Sequence, residues 1–303
     1  MNIPTADRLQ LDIKEFAEAL LMIDFHTHPV LIEEVVEESE ELKNAIRKVF
    51  NLQNTLQPIE TFKRQMKVAG IDKCVLLPID CSTARGCKIF SNEQIADLVK
   101  ENDFFIGFAS VDPLSEDAAE SLGTAISDLG LRGLKLDPSL QEFYPNDKEK
   151  AYPIFEKASK LGIPAVIHSG MTWEADAMMK YSHPRLLEDV AHDFPKLNLV
   201  IAHMGWPWVL DSVALALKYP NIYLDTSCLY ADTPNEFVEY VFTKQIPITV
   251  VERSLHRKII FGSNYPRIEM HKMVKALRRV LHEEDVVQNI FGRNALRLLG
   301  NIS

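Results

Sequence analysis

The chain has 303 residues, enough for the roughly 250 that a closed eight-unit α/β barrel requires, and its 47% hydrophobic and 25% charged side chains suit a globular enzyme. With 43 acidic against 33 basic residues, the formal net charge is −10, which denies it the basic face that nucleic acid demands. No apolar run reaches the roughly 20 residues of a membrane span, and charges interrupt the first residues where a secretory leader would be apolar. The expectation is a cytoplasmic protein of one domain, residues 1–303, whose partner is a small-molecule substrate rather than nucleic acid or membrane. Residues 11–20 read as a helix ahead of the first strand, packed at the bottom or side of a barrel. Residues 21–25 (LMIDF) form the first strand, and 31–57, rich in Glu, are a helical insertion over the barrel mouth.

Beyond the insertion the chain settles into a rhythm. Helical patterns at 61–69, 92–101, 116–129, 149–161 and 207–218 separate apolar runs at 74–78, 105–110, 132–136, 163–168, 197–203, 221–225 and 258–263. The runs are continuously apolar rather than alternating, as strands buried on both faces are. Gly70, Gly130 and Gly162 sit where helices would stop before the next strand. Strand and helix in eight rounds predict a (β/α)₈ TIM barrel, and the absence of a GxGxxG turn after the first strand argues against an open doubly wound sheet. Cys74, Cys81, Cys87 and Cys228 form no CxxC pair and are expected to be reduced, buried thiols.

In such a barrel, chemistry gathers at the strand C-termini. The first run leads into Asp24-Phe25-His26-Thr27-His28, whose two histidines, two residues apart, face the same way on an extended strand and suit a cation such as zinc. His168 closes the fifth run and His203 the sixth. One histidine at the end of an apolar run is usually a hydrogen-bonded core residue. Four of the chain's nine at strand ends point instead to a convergent site.

The motifs DFHTH, GLKLDP, VIHSG, IAHMG and FGSNYP together resemble the amidohydrolase superfamily. The likeness runs from about residue 23 to 299. It falls in the amidohydrolase-2 branch, which holds aminocarboxymuconate semialdehyde decarboxylases, resorcylate decarboxylases and related hydratases and hydrolases. The resemblance implies one divalent metal ion, zinc or manganese, held by His26, His28 and His168, with His203 as general base or substrate contact. It also implies a carboxylated, cyclic or unsaturated substrate, hydrolysis or decarboxylation as the reaction, and often a homodimer. The branch usually carries Asp in its eighth-strand motif, where this chain has Asn264; that residue offers a carbonyl oxygen but takes no proton at neutral pH.

Three readings of Asn264 stand: an enzyme whose acid–base work falls to His203, a weakened catalyst or metal-free barrel that only binds a metabolite, and an exchange engineered to trap substrate. Asp225 either compensates or holds a histidine's second nitrogen. Lys135 and Arg267 are candidates to meet a substrate carboxylate, with Arg85 behind them, each being otherwise a structural cation. Trp206, with Trp173 and Trp208, either walls the pocket or packs beneath a loop.

Overall fold

A computed structural model describes residues 21–50, 54–227 and 233–300. The eight parallel strands are β1 (Ile23–Thr27), β2 (Lys73–Leu76), β3 (Phe105–Gly107), β4 (Leu134–Leu136), β5 (Ala165–Ile167), β6 (Leu199–Ile201), β7 (Ile222–Asp225) and β8 (Ile259–Ile260). They form two parallel blocks, β1–β2–β3 and β4–β5–β6–β7–β8. The blocks join at both seams: Ala109 bridges Leu134, Thr27 bridges Tyr265, and Phe25 N–H donates to Phe261 O at 2.9 Å. The result is a closed barrel, as the rhythm of the sequence requires. Residues 11–20, read as a leading helix, lie outside the described residues.

Burial on both strand faces sorts the apolar side chains. Phe25, Val75, Ile106, Phe108, Val166 and Val200 fill the lumen, while Leu76, Leu136, Ile167, Ile201 and Leu224 face the surrounding helices. Helices end where the sequence punctuates them: Gly70 and Gly162 adopt left-handed backbone (φ 73° and 68°) as C-caps of Ile59–Ala69 and Tyr152–Leu161. Gly130 is also left-handed (φ 72°), but its helix, Ala118–Ser127, has already ended.

Two departures from a minimal barrel shape the mouth. The insertion after β1 forms helices Glu33–Val36 and Glu40–Phe50, the second ending against the pocket. After β2, strands Ile79–Cys81 and Cys87–Ile89 pair as an antiparallel hairpin, which the sequence reading did not anticipate. Its strands, Ile-Asp-Cys and Cys-Lys-Ile, are only three residues long, too short for their alternation to stand out in the sequence. Among the described residues no helix is long and apolar enough to cross a membrane.

Candidate metal centre and active site

The strand pairing brings His26 of β1, and His28 just past its end, to the mouth of the lumen. Register slips between Asp24 and Thr27, so Phe25 joins the lumen core while His26 also lines the pocket. An irregularity of this kind re-aims side chains at a barrel rim. One narrow cleft of about 50 Å³ brings together His26, His28, His168, His203, Asn264, Lys135 and Arg267. Trp206 is not among its lining residues. Its carbonyl instead accepts the Met171 N–H at 2.8 Å, and Trp173 supplies the aromatic wall. Arg85 lies outside the cleft, bound to Asp176 (2.7 Å), Glu142 (3.6 Å) and Leu140 O (2.9 Å).

Hydrogen bonds orient each ring. His26 Nδ1 meets Asp225 Oδ2 at 2.8 Å, and His28 Nδ1 meets the Leu77 carbonyl at 2.8 Å. In each case the acceptor oxygen requires the proton on Nδ1 and leaves the lone pair on Nε2. Among the described residues, neither His26 Nε2 nor His168 Nε2, both buried, has a hydrogen-bond partner. Two buried imidazole nitrogens in one narrow cleft are costly unless something accepts their lone pairs. The donor set fits a divalent cation.

Asp225 is the hub beneath the rings. Its Oδ1 accepts the N–H groups of His203 (2.8 Å) and Ser227 (3.0 Å) and the Ser227 hydroxyl, while Oδ2 accepts from His26. His26, His203 and Asp225 offer ligand atoms within 4.8 Å of one another. With its oxygens so fully engaged, Asp225 is better suited to holding His26 in its tautomer than to binding a cation directly. Because Ser227 gives its hydroxyl proton to Asp225, it accepts from His203 Nδ1 at 2.7 Å, which turns the His203 Nε2 lone pair toward His168 Nδ1, 3.2 Å away. His203 and Asn264 both sit in left-handed backbone, φ 58° and 65°.

The electrostatics favour neutral rings. Burial holds His26, His28 and His203 well below the ordinary imidazole value of 6.5 and lowers His168 as well. Lys135, in register with the lumen-facing Val166, is 1% exposed. Burial lowers its pKa, opposed by Asp137 and Asp225, and among the described residues no hydrogen bond or ion pair holds its ammonium. Arg267 is tied to the insertion through Phe50 O (3.1 Å) and lies 5.9 Å over the Trp173 ring.

Asp137, Thr172, Glu174, Val49 and Phe50 also line the cleft, and the sequence reading passed over them. Asp137 could have been found: it follows β4 within the quoted GLKLDP motif and lies 3.5 Å from His168 Nδ1. Glu174, whose carboxyl is raised by burial, and Phe50 carry no local signal, because loop and insertion reach the site only through the fold.

A closed parallel barrel whose strand ends bring four histidines to one buried cleft is a TIM barrel with a candidate metal centre at its strand ends. The chain belongs to the amidohydrolase family, whose sequence profile matches residues 23–300. It is 24% identical over 242 residues to the 2-amino-3-carboxymuconate-6-semialdehyde decarboxylase of Dictyostelium discoideum, a match covering 70% of this chain and 66% of that protein. The chain thus spans slightly less than two thirds of that relative. Among solved structures, an uncharacterized TIM-barrel protein of Bordetella bronchiseptica superposes with TM-score 0.73 and 23% identity over 92% of this chain and 98% of the other. A 5-carboxyvanillate decarboxylase of Novosphingobium aromaticivorans with bound manganese gives TM-score 0.64 and 16% identity over 93% and 97%.

Proposed function

We propose that this chain is a mononuclear metal enzyme acting on a small carboxylated, cyclic or unsaturated substrate, and that decarboxylation is the reaction its residues support best. The observation carrying this reading is the pair of buried nitrogens, His26 Nε2 and His168 Nε2, with no hydrogen-bond partner among the described residues, in a cleft that also holds the buried ammonium of Lys135. His26, His28 and His168 would hold the ion through their Nε2 atoms, with the Asn264 carbonyl as a neutral fourth donor. A divalent ion there, zinc or manganese, polarises and orients substrate oxygens.

The remaining chemistry belongs to the chain's own residues. Lys135 attracts a carboxylate to the floor of the cleft, and Arg267 offers a second, planar contact at its rim. A cleft of about 50 Å³ lies far below the roughly 300 Å³ at which drug-sized pockets begin, so the substrate is small or the rim yields to admit it. His203, neutral at pH 7, would accept a proton from a substrate hydroxyl at Nε2 once that lone pair turns away from His168 Nδ1, and return it to the carbon that loses CO₂ as the C–C bond breaks. Hydrolysis is the weaker option because water must surrender a proton, and Asn264 cannot take it. The names of the Dictyostelium relative and the Novosphingobium barrel, both decarboxylases, point the same way. A binding protein that keeps the cleft without catalysis is the second reading, and Asn264 is the residue that favours it.

Elemental analysis of protein purified without chelator tests the first half of the proposal, with about one equivalent of zinc or manganese expected. A screen of carboxylated phenols and unsaturated dicarboxylates for CO₂ release tests the second half. Absence of metal after reconstitution would overturn the metal mechanism, and metal without turnover on any such acid would favour the binding protein.

A further inference from the structure

The hairpin at the barrel mouth carries a feature the proposed reaction does not use. Cys81 and Cys87 are directly opposite partners of its antiparallel ladder, with their sulfurs 3.8 Å apart. Opposite residues in such a ladder have Cα atoms about 4.5–5.5 Å apart, inside the roughly 4.4–6.8 Å that a disulfide spans. Side-chain rotation with little backbone change would therefore bring the sulfurs into bonding distance. Cys81 is sealed from solvent, whereas Cys87 opens onto a surface cleft of about 470 Å³ bordered by Ser39, Leu42, Gly86 and Lys88.

We propose that Cys81 and Cys87 form an oxidisable dithiol, a modification site at which hydrogen peroxide closes a disulfide across the mouth hairpin. The Cys87 thiolate attacks one peroxide oxygen, the O–O bond breaks, and hydroxide leaves, giving a sulfenic acid on Cys87. The Cys81 sulfur then attacks that sulfur, and its proton leaves with the sulfenic hydroxyl as water. Two thiols lose two electrons in all, and peroxide is reduced to two waters. Chemistry assigns the roles. The Cys87 thiol is brought down to about 7, chiefly by the Cys81 S–H beside it, with Lys48 and Arg85 adding positive field. The Cys81 thiol is pushed up by the same pairing and by burial, which suits the second, resolving position. Cys74, buried in the barrel wall with its thiol raised by burial, serves as an internal control.

The hairpin is part of the mouth. Ile79 lines the metal cleft, Gln141 Nε2 donates to Asp80 O at 2.6 Å, and Lys48 Nζ donates to Arg85 O at 2.9 Å from the insertion helix. Arg85, between the cysteines, grips Asp176 in the loop that also carries Trp173 and Glu174. Oxidation would thus clamp the turn from which that loop is held.

The test is peptide mapping of the whole protein after stoichiometric hydrogen peroxide, with free thiols blocked before digestion. The expected result is one linkage, Cys81 to Cys87, lighter by two hydrogens, with Cys74 still alkylated. C81A should then stop at a sulfenic acid on Cys87, trapped by dimedone, and C87A should leave Cys81 reduced. Should either variant fail to fold, the pH dependence of iodoacetamide labelling on the unmodified protein decides, with Cys87 labelled first and faster above about pH 7. Both thiols free after peroxide, linkage to another cysteine, or Cys81 labelling first would each overturn the proposal.

Discussion

Five residues carry the proposed chemistry, and each can be separated from the fold. Removing the His26 or His28 imidazole deletes a lumen-edge donor while leaving the aliphatic core intact. His26→Ala and His28→Ala should therefore lose the metal while keeping circular dichroism and a cooperative melt. Full metal occupancy in both variants would refute the ligand assignment. His203→Asn should retain the metal and lower turnover at least about 100-fold, the low end for a general acid–base group; unchanged turnover would exclude His203 from the proton path. Lys135→Met replaces a buried ammonium with an apolar chain of similar length. Burial of that charge is costly and its attraction to Asp137 and Asp225 offsets part of the cost, so stability should change little while KM for a carboxylated substrate increases. Asn264→Asp separates the two readings of the site: a large gain in activity marks a disabled catalyst, and a loss marks Asn264 as the working residue.

At the scale of elements, the loops after β5 and β6 touch backbone to backbone. A Cβ on Gly170, whose φ is 101°, would collide with the Trp206 carbonyl, whereas one on Gly162 would meet open space. Gly162→Ala should accordingly cost only the left-handed penalty, about 1–2 kcal/mol. Gly170→Ala should cost more and disturb the cleft as well, which urea melts and metal content would register together. The same contact explains which parts of the site were readable in the sequence. Strand-end histidines were legible because continuous apolar runs mark buried strands and their last polar residues mark the mouth. Trp206 misled because proximity to a strand end does not tell which way a loop folds back. Trp173, offered beside it, does line the cleft, whereas Glu174 and Phe50 reach it through tertiary packing that no local pattern encodes. The hairpin escaped notice because its strands are three residues long and the spacing of Cys81 and Cys87, which it pairs, resembles no metal or redox motif.

For the whole molecule, the buried imidazoles set a pH dependence. The unfolded chain protonates His26, His28, His168 and His203 near 6.5, whereas the fold holds them below that value. Below pH 6.5 the unfolded state therefore binds more protons, and stability falls with acidification. Asp24 acts in the opposite sense. Burial raises it to about 7, so the fold keeps a proton that the unfolded chain releases above 3.8, offsetting one of the four histidines. Metal-free protein should thus lose stability on acidification from about pH 6.5 toward 4.5, by roughly 1.4 kcal/mol per pH unit for each excess proton. Urea midpoints that stay flat or rise over that range would contradict the burial of neutral rings. Barrel closure has a further consequence, in time rather than space. The seam pairs Thr27 with Tyr265, so His26 and Asn264 come from nearly opposite ends of the chain. At about 5–20 residues per second, a ribosome separates their synthesis by on the order of tens of seconds. The proposed donor set is therefore complete only once β8 and its following turn have been made, and an ion held by it would be acquired after that point.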